Sequence, residues 1–475
     1  MTIDPKRRAA RGQAKHPHSL HALLLLGIVL LICTALTYLI PAGQYERITD
    51  EVTGIEHIVP DSFTFIERSP TTFKGIFDSL TSGLYRGAEI IFFLLIVGGM
   101  FGIVNATGAL NIAIANLLKL LRGKEWLLIP VLMIFFGCGS AFCANYEEYL
   151  VFVPLILACC ITAGYDSLTA VGIIFISATA GYAGGMTNAF TVGRAQQIAE
   201  LPLYSGMRFR TEIFICMMLI SIAYVMWRAI AIKKNPMTSI CYLEDREYNA
   251  DKHLNLNRIP KMTGRHLITI MCFGAGIIYA ACMVVIKHYY VDELAGVFLG
   301  TAILCGIAAG FTPNKICDSF VKGCKDIILP CLIIGTVNAS IVLLDNANVL
   351  DTVLYGCAYA IEMLPMSQRA YEMFVLHDLF NILVPSGSTQ AAVTMPLMIP
   401  LADACGITRQ TAVIAYQLGD ALTNAISPTS GEVLAALAIC KVPFSKWVRY
   451  LLPLFIAWFI VSLVFVGIAD QMALA

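Results

Sequence analysis

Three runs of the chain, HALLLLGIVLLICTALTYLI (21–40), LITIMCFGAGIIYAACMVVI (267–286) and YLLPLFIAWFIVSLVFVGIA (450–469), contain no Asp, Glu, Lys or Arg. A helix of about 20 apolar residues is roughly 30 Å long and matches the hydrocarbon core of a bilayer. Such runs leave two folds open, a helical membrane protein or a very large soluble core. Composition decides between them: only 13% of the 475 residues are charged, against about a quarter in a soluble domain. The sequence predicts an all-α polytopic membrane protein. The run 21–40 continues into IPAGQYER without a small-x-small cleavage motif, so it reads as an uncleaved first helix rather than a signal peptide.

Charge placement predicts the topology. Lys6, Arg7, Arg8, Arg11 and Lys15 precede the first span, Glu46, Asp50, Glu51, Glu56, Asp61 and Glu67 follow it, and Arg228, Lys233, Lys234, Arg258, Lys261 and Arg265 surround a central polar stretch. The bias of basic residues toward the cytoplasm puts the N-terminus and the central linker inside and the acidic stretch outside. Net charge is zero, so no nucleic-acid partner is expected. The 16 cysteines form no CxxC and most lie in apolar runs, as small buried hydrophobes do.

The chain also repeats itself. PLILACCITAGYDSLTAV from Pro154 is answered by PLMIPLADACGITRQTAV from Pro396, TNAFTVGR (187–194) by TNAISPTSGE (423–432), LPLYS (201–205) by VPFSK (442–446), and GAEIIFFLLIVGG from Gly87 by GCKDIILPCLIIG from Gly323. The first copy begins beside the acidic, external stretch and the second among Lys315, Lys322 and Lys325. Copies of opposite orientation form an inverted-topology repeat, with the solute site expected at their interface near the membrane midplane. The resulting organisation is a basic N-terminus (1–20), a first transmembrane helix (21–40), an external loop (41–86), repeat 1 (87–231), a cytoplasmic linker (232–264), connecting helices (265–311) and repeat 2 (312–475). About 12 embedded segments are expected, including two re-entrant hairpins near 126–163 and 371–406.

Within each repeat a glycine-rich polar stretch interrupts an apolar run: GYAGGMTNAFTVGR (181–194) and LGDALTNAISPTSGE (418–432). Irregular backbone at membrane depth survives only where protein or a wet cavity receives it. Both stretches are therefore expected to be breaks in discontinuous helices. Small-residue helix packing would account for the glycines, but not for Asn and Thr at matched places. Ionisable residues at depth mark solute or ion pathways. Glu147 and Glu148 sit in GSAFCANYEEYLVFVP, aligned with Thr389 and Gln390 of VPSGSTQAAVTMP, and Asp420 lies three residues before Thr423. Arg194 and Glu432 follow equivalent glycines and could pair. His377 and Asp378, with Asn381, stand in the second hairpin, where a histidine could relay protons or could simply be satisfied and buried. No GxSxG, HExxH or Walker A motif is present, so neither an enzyme nor an ATP-driven pump is expected. A channel is a remote alternative.

NILVPSGSTQAAVTMPLMIPLADACGITRQTAVIAYQLGDALTNAISPTSG (381–431), TAGYDSLTAV, TNAFTVGRAQQIAELPLYSGMRFR and LTYLIPAGQYER resemble the YfcC-type, DcuC-related carriers of the ion-transporter superfamily over nearly the whole chain. The resemblance implies a secondary transporter of the inner membrane, taking either C4-dicarboxylates or basic amino acids. By position it implies solute-binding roles for Asn145, Glu147, Glu148, Thr187, Asn188, Ser386, Gly387, Ser388, Gln390, Asp420, Thr423 and Asn424. Arg194, His377, Asp378 and Glu432 are left for gating or coupling. The acids favour a cationic solute, with arginine/ornithine-like antiport as the first expectation. A Na⁺- or H⁺-coupled carboxylate carrier is the second. The partners are then a small polar solute and the lipid bilayer, with a homodimer open. No cofactor or metal is expected beyond a coupling Na⁺ or H⁺.

Overall fold

The computed structural model describes residues 22–49, 56–59, 62–121, 123–249, 262–287 and 291–474; the basic N-terminus 1–20 and residues 250–261 of the linker lie outside them. Helices dominate: α1 (Ala22–Leu39), α2 (Phe73–Arg86), α3 (Ala88–Thr107), α4 (Ala109–Leu120), α5 (Leu128–Cys143) and α6 (Val153–Ala163). Helix α7 begins as Ser167–Val171, widens into a π-turn at Gly172–Ile176 and resumes as Ser177–Gly184. After a break, a second π-turn (Ala189–Gly193) runs into α8 (Arg194–Ile198). Then come α9 (Met207–Lys234), α10 (Tyr242–Tyr248), α11 (Gly264–Lys287), α12 (Val291–Ala308), α13 (Pro313–Asn346), α14 (Leu350–Glu362), α15 (Met366–Leu383) and α16 (Gly387–Ala404). The chain ends with α17 (Arg409–Asn424), α18 (Gly431–Cys440) and α19 (Phe444–Gln471).

Seven helical stretches among the described residues are long and apolar enough to cross a membrane. They differ in what they face. Only 33% of the apolar windows of α9 and α19 is buried within the protein, against 94% for the stretch Ser167–Ile198. The first two present side chains to lipid, and the last is enclosed by other helices. Enclosure is what lets α17 carry Gln410, Thr411, Gln417, Asp420 and Thr423, all buried, because neighbouring helices supply the hydrogen bonds that lipid cannot.

The polar stretch after α1 holds structure that the sequence did not suggest. Strands β1 (Gly43–Gln44) and β4 (Thr64–Phe65) pair antiparallel, as do β2 (Arg47–Thr49) and β3 (Glu56–Ile58). Asp351 of α14 fixes this loop, accepting from Tyr45 N at 3.0 Å and Arg47 Nη2 at 2.6 Å.

Helix α13 is the axis against which α1, α2, α3 and α18 pack. Its crossing with α3 is close because a Cβ on Gly323 would lie 2.0 Å from Gly98 O, and one on Gly102 2.3 Å from Ser319 O. Small residues at helix crossings gain dispersion contacts where no hydrophobic drive operates.

Two helix–turn–helix pairs stand at the sites expected for hairpins. In the first, α5 and α6 are joined through a tip in which Ala144 takes a left-handed φ of 63°, followed by a 3₁₀ turn (Glu147–Phe152). In the second, α15 and α16 meet across 384–386. The first limb of each packs on a helix leading into a break, α5 on α7 and α15 on α17, and α7 and α17 pack on each other.

The topology has a direct test. On a background stripped of native cysteines, Ser69→Cys and Ala473→Cys are expected to react with an impermeant maleimide in intact cells, and Met237→Cys only after permeabilisation. Each position is exposed. A shielded Ala473→Cys beside a reactive Ser69→Cys would contradict the inverted orientation of the halves.

Candidate functional site

The breaks are built from freed backbone groups, several of them held by buried donors from later helices. Helix α7 ends at Gly185 with φ 48°. Arg210 of α9, 1% exposed, donates from Nε to Gly185 O at 3.2 Å, from Nη2 to Met186 O at 3.2 Å and from Nη1 to Ser205 O at 2.5 Å. In the second break, Trp447 of α19 donates from Nε1 to Ala425 O at 2.8 Å. Thr429 Oγ1 donates to Ile382 O at 2.8 Å, tying that break to α15. Helix C-terminal carbonyls lack partners of their own, and these contacts allow a helix to end inside a membrane protein. The π-turn of α7 is treated likewise, with Ser177 Oγ at 2.5 Å from Ile173 O and 3.0 Å from Ile174 O.

Between the two tips and the breaks lies a cavity of about 90 Å³. Its walls carry Glu147, Glu148 and Tyr146 from the first tip, Ser386, Gly387 and Ser388 from the second, Tyr182 and Phe190 around the first break, and Asn424 and Glu432 around the second. Three carboxylates therefore converge, and no lysine or arginine is among the lining residues. None of the three forms an ion pair among the described residues. Glu148 Oε2 accepts from Tyr146 N at 3.1 Å and Glu432 Oε2 from Ser430 Oγ at 3.4 Å. Helix α16, whose first residues Gly387 and Ser388 also line the cavity, begins without a side-chain cap, so its first amides form a partial positive pole at the cavity wall. A wall with anionic and positive ends can hold a zwitterion that carries an extra cationic group.

The volume falls well short of the roughly 300–1,000 Å³ of a ligand pocket. A larger cavity of about 360 Å³ lies between α4, α5, α6 and α11. Its walls are apolar apart from Tyr165 and Thr269, and they offer no charged group.

The structure brings together Glu147, Glu148, Ser386, Gly387, Ser388, Asn424 and Glu432 but directs other expected site residues elsewhere. Thr187 Oγ1 donates to Phe142 O at 2.8 Å and so ties the first break to the hairpin. Asn188 is fully buried and caps the π-turn and α8, its Oδ1 accepting from Phe190 N at 3.0 Å and Thr191 N at 3.1 Å. Gln390 is spent on His377 O (2.9 Å) and Asn381 Nδ2 (3.0 Å). Thr423 donates to the carboxylate and carbonyl of Asp378. His377 has both ring nitrogens engaged, by Met373 O at 2.7 Å and Thr394 Oγ1 at 3.2 Å, which makes it a satisfied core histidine. Asn145 is half-buried in the first turn and does not line the cavity. Arg194 and Glu432 make no ion pair: α8 packs on α16, while Glu432 opens α18. Arg409 is no partner for Asp420 either, for it pairs with Asp403 at 2.8 Å and Glu200 at 2.9 Å.

Two substitutions test these placements. Asn188→Ala removes a cap and is expected to cost about 1 kcal/mol of stability, seen as a lower melting temperature beside any loss of uptake. A methyl on Gly387 would come within 2.4 Å of Asp420 Oδ2 and of Tyr182 Oη. Gly387→Ala is thus expected to cost about 1–3 kcal/mol by overpacking and to lift the second tip, so that uptake falls with it.

Sequence and structure comparisons bear on the identity of the chain. A family model described as "C4-dicarboxylate anaerobic carrier", DcuC, matches residues 20–470. The chain is 34% identical over 419 residues, 86% of its own length and 82% of the relative's, to YfcC of Escherichia coli, whose name proposes a basic amino acid antiporter. It is 26% identical over 477 residues, 91% of its length and 93% of the relative's, to an uncharacterised protein of Haemophilus influenzae. Among solved structures it is similar to the YdaH transporter of Alcanivorax borkumensis (TM-score 0.40, 16% identity, 95% and 99% of the two chains). It is also similar to MtrF of Neisseria gonorrhoeae, of a class of antimetabolite efflux pumps (TM-score 0.42, 16% identity, 96% of each). Apolar helices long enough to span a bilayer, and a family match over nearly the full length, make the chain a membrane transporter rather than an enzyme, and it belongs to the DcuC family.

Proposed function

We propose that this transporter exchanges a basic amino acid of the arginine or ornithine kind across the inner membrane, with its N-terminus in the cytoplasm. The observation that carries the reading is the cavity wall: Glu147, Glu148 and Glu432 with no basic residue among the lining. A guanidinium or ammonium group would receive charge-assisted hydrogen bonds from these acids. The first amides of α16, beside Ser386 and Ser388, would hold the α-carboxylate as helix N-termini hold anions. Two carboxylates on one solute would instead meet three glutamates and no basic residue among the lining. The name of the Escherichia coli relative agrees with a basic amino acid; the description of the family model names a C4-dicarboxylate.

Exchange is tested in proteoliposomes. External labelled arginine is expected to enter quickly when the lumen holds ornithine and barely at all when the lumen holds only buffer. Uptake indifferent to the internal solute would count against exchange. Succinate uptake that arginine fails to inhibit would replace the solute.

A further inference from the structure

The larger cavity, of about 360 Å³, has the volume of a ligand pocket and no part in the exchange reading. It is a slot. Ala109, Ala113 and Leu117 line it from α4, and Leu155, Cys159 and Ala163 line it from α6. Each trio recurs every four residues, so each helix gives one face along eight residues, about 12 Å. Of the two polar side chains at the wall, Thr269 is spent on its own helix, donating from Oγ1 to Arg265 O at 2.9 Å. Tyr165 holds Lys233 Nζ 5.1 Å from its ring centroid. Apolar cavities of this kind stay dry and take apolar ligands.

One end of the slot is basic. Leu117 stands three residues before the end of α4, Leu128 opens α5, Ala163 ends α6 and Thr269 lies in the second turn of α11. Around these termini stand Lys119, Lys124, Lys233 and Arg265, all exposed. Arg265 is one turn before Thr269 and so on the same helix face. Lys119, Lys124 and Arg265 form no ion pair among the described residues, and Glu125, the one acid in 119–128, pairs with Lys233 at 3.2 Å. Trp126 in the same turn is 45% exposed, as an aromatic anchor at a bilayer interface is. Leu117 of the wall is 40% exposed, and Leu267, Ile268 and Met271 of α11 are exposed as well, so the slot borders the lipid-facing surface.

An apolar slot with a cationic rim at interface depth matches a molecule with an anionic head and a hydrocarbon tail. Basic pockets between helices on the cytoplasmic side hold anionic lipid head groups. A polar solute would find almost no hydrogen bond here. Residues 1–20 and 250–261 of the chain are basic or polar and suit neither the wall nor the rim.

We propose that the slot is a lipid site, taking one acyl chain of an anionic phospholipid whose phosphate lies among Lys119, Lys124, Lys233 and Arg265. The chain would run between α4 and α11 on one side and both limbs of the first hairpin on the other. That hairpin carries Glu147 and Glu148 at its tip, so the bound lipid would brace the support of two cavity acids. Neither the slot nor its rim depends on which solute is exchanged.

The test uses delipidated full-length protein in neutral detergent, without added solute. It is titrated with dioleoylphosphatidylglycerol or with dioleoylphosphatidylcholine, which has the same chains and a zwitterionic head, and bound lipid is counted by native mass spectrometry. One phosphatidylglycerol is expected to be retained, with phosphatidylcholine at least tenfold weaker, and phosphatidylglycerol is expected to raise the melting temperature by several degrees. Lys119→Gln, Lys124→Gln and Arg265→Gln combined are expected to remove that preference, a loss of about tenfold or more. Ala113→Phe fills the slot and is expected to abolish retention of both lipids. A check that needs no variant is cross-linking by phosphatidylglycerol carrying a diazirine at its chain end, expected to label 109–117 and 155–163. Equal retention of the two lipids by the wild-type protein overturns the site, as do labels confined to the exposed faces of α9 and α19. Arginine binding in a protein that retains no lipid would sink the lipid site alone; a retained lipid in a protein that ignores arginine and ornithine would sink the exchange reading alone.

Discussion

Replacing Glu147, Glu148 or Glu432 by glutamine is expected to weaken arginine binding by roughly 30- to 5,000-fold in at least one of the three variants. Each exchange keeps shape and deletes charge. Truncating one partner of a desolvated charge pair costs about 2–5 kcal/mol, and every 1.4 kcal/mol is about tenfold in affinity. A structural role for these acids predicts something else. Glutamates that held the fold together would lower the melting temperature when neutralised. These three have no ion-pair partner and crowd one another, so the solute-free variants are expected to melt at the wild-type temperature or above it. Weaker arginine binding with unchanged or improved melting separates a binding wall from a structural one. Equal losses of both would return the acids to a packing role.

The second large effect concerns Arg210, which never touches the cavity. Arg210→Met leaves the carbonyls of Gly185, Met186 and Ser205 without the donor that now serves all three. Ser205 O keeps Gln196 Nε2 and Gln410 Nε2 as donors; at about 1–3 kcal/mol for each of the two carbonyls left unsatisfied, the cost is on the order of 2 kcal/mol or more. Arg210→Lys is expected to recover little of it, because a point-like ammonium cannot reproduce the planar fork. Arg409 is the control: its pairs with Glu200 and Asp403 are largely exposed, and Arg409→Ala is expected to cost about 1 kcal/mol or less. Melting of the purified variants checks both. If Arg210→Met melts like wild type, the carbonyls of the first break do not depend on it.

How far the sequence could be read depended on where each polar group found its partner. Breaks at membrane depth were visible because GYAGGMTNAF and TNAISPTSG cannot continue an apolar helix. The carboxylates at 147, 148 and 432 were visible because charge in an apolar context needs a reason. The direction of a side chain within a turn was not visible. Asn188 and Asn424 occupy matched motifs, yet Asn188 caps its own helix while Asn424 lines the cavity. Thr423 and His377 looked like site residues because they are polar and deep; Thr423 is satisfied by Asp378 of α15, and His377 by Met373 O one turn back on its own helix and by Thr394 of α16. Arg210 gave no local sign, since the carbonyls it serves precede it in sequence by as many as 25 residues. Tyr182 and Thr191 escaped for a related reason: they meet Gly387 only where the fold brings their separate segments together. The strands after α1, two or three residues each, are too short for an alternating pattern to register.

The central claim is that the cavity holds a cationic amino acid, and competition for a bound label tests it most directly. Purified wild-type protein is loaded with labelled arginine and challenged with unlabelled arginine, ornithine or succinate at matched ionic strength. Displacement by arginine and ornithine at similar concentrations, with succinate inert, is the predicted result. A protein that retains no labelled arginine, but binds labelled succinate that neither basic amino acid displaces, would contradict it.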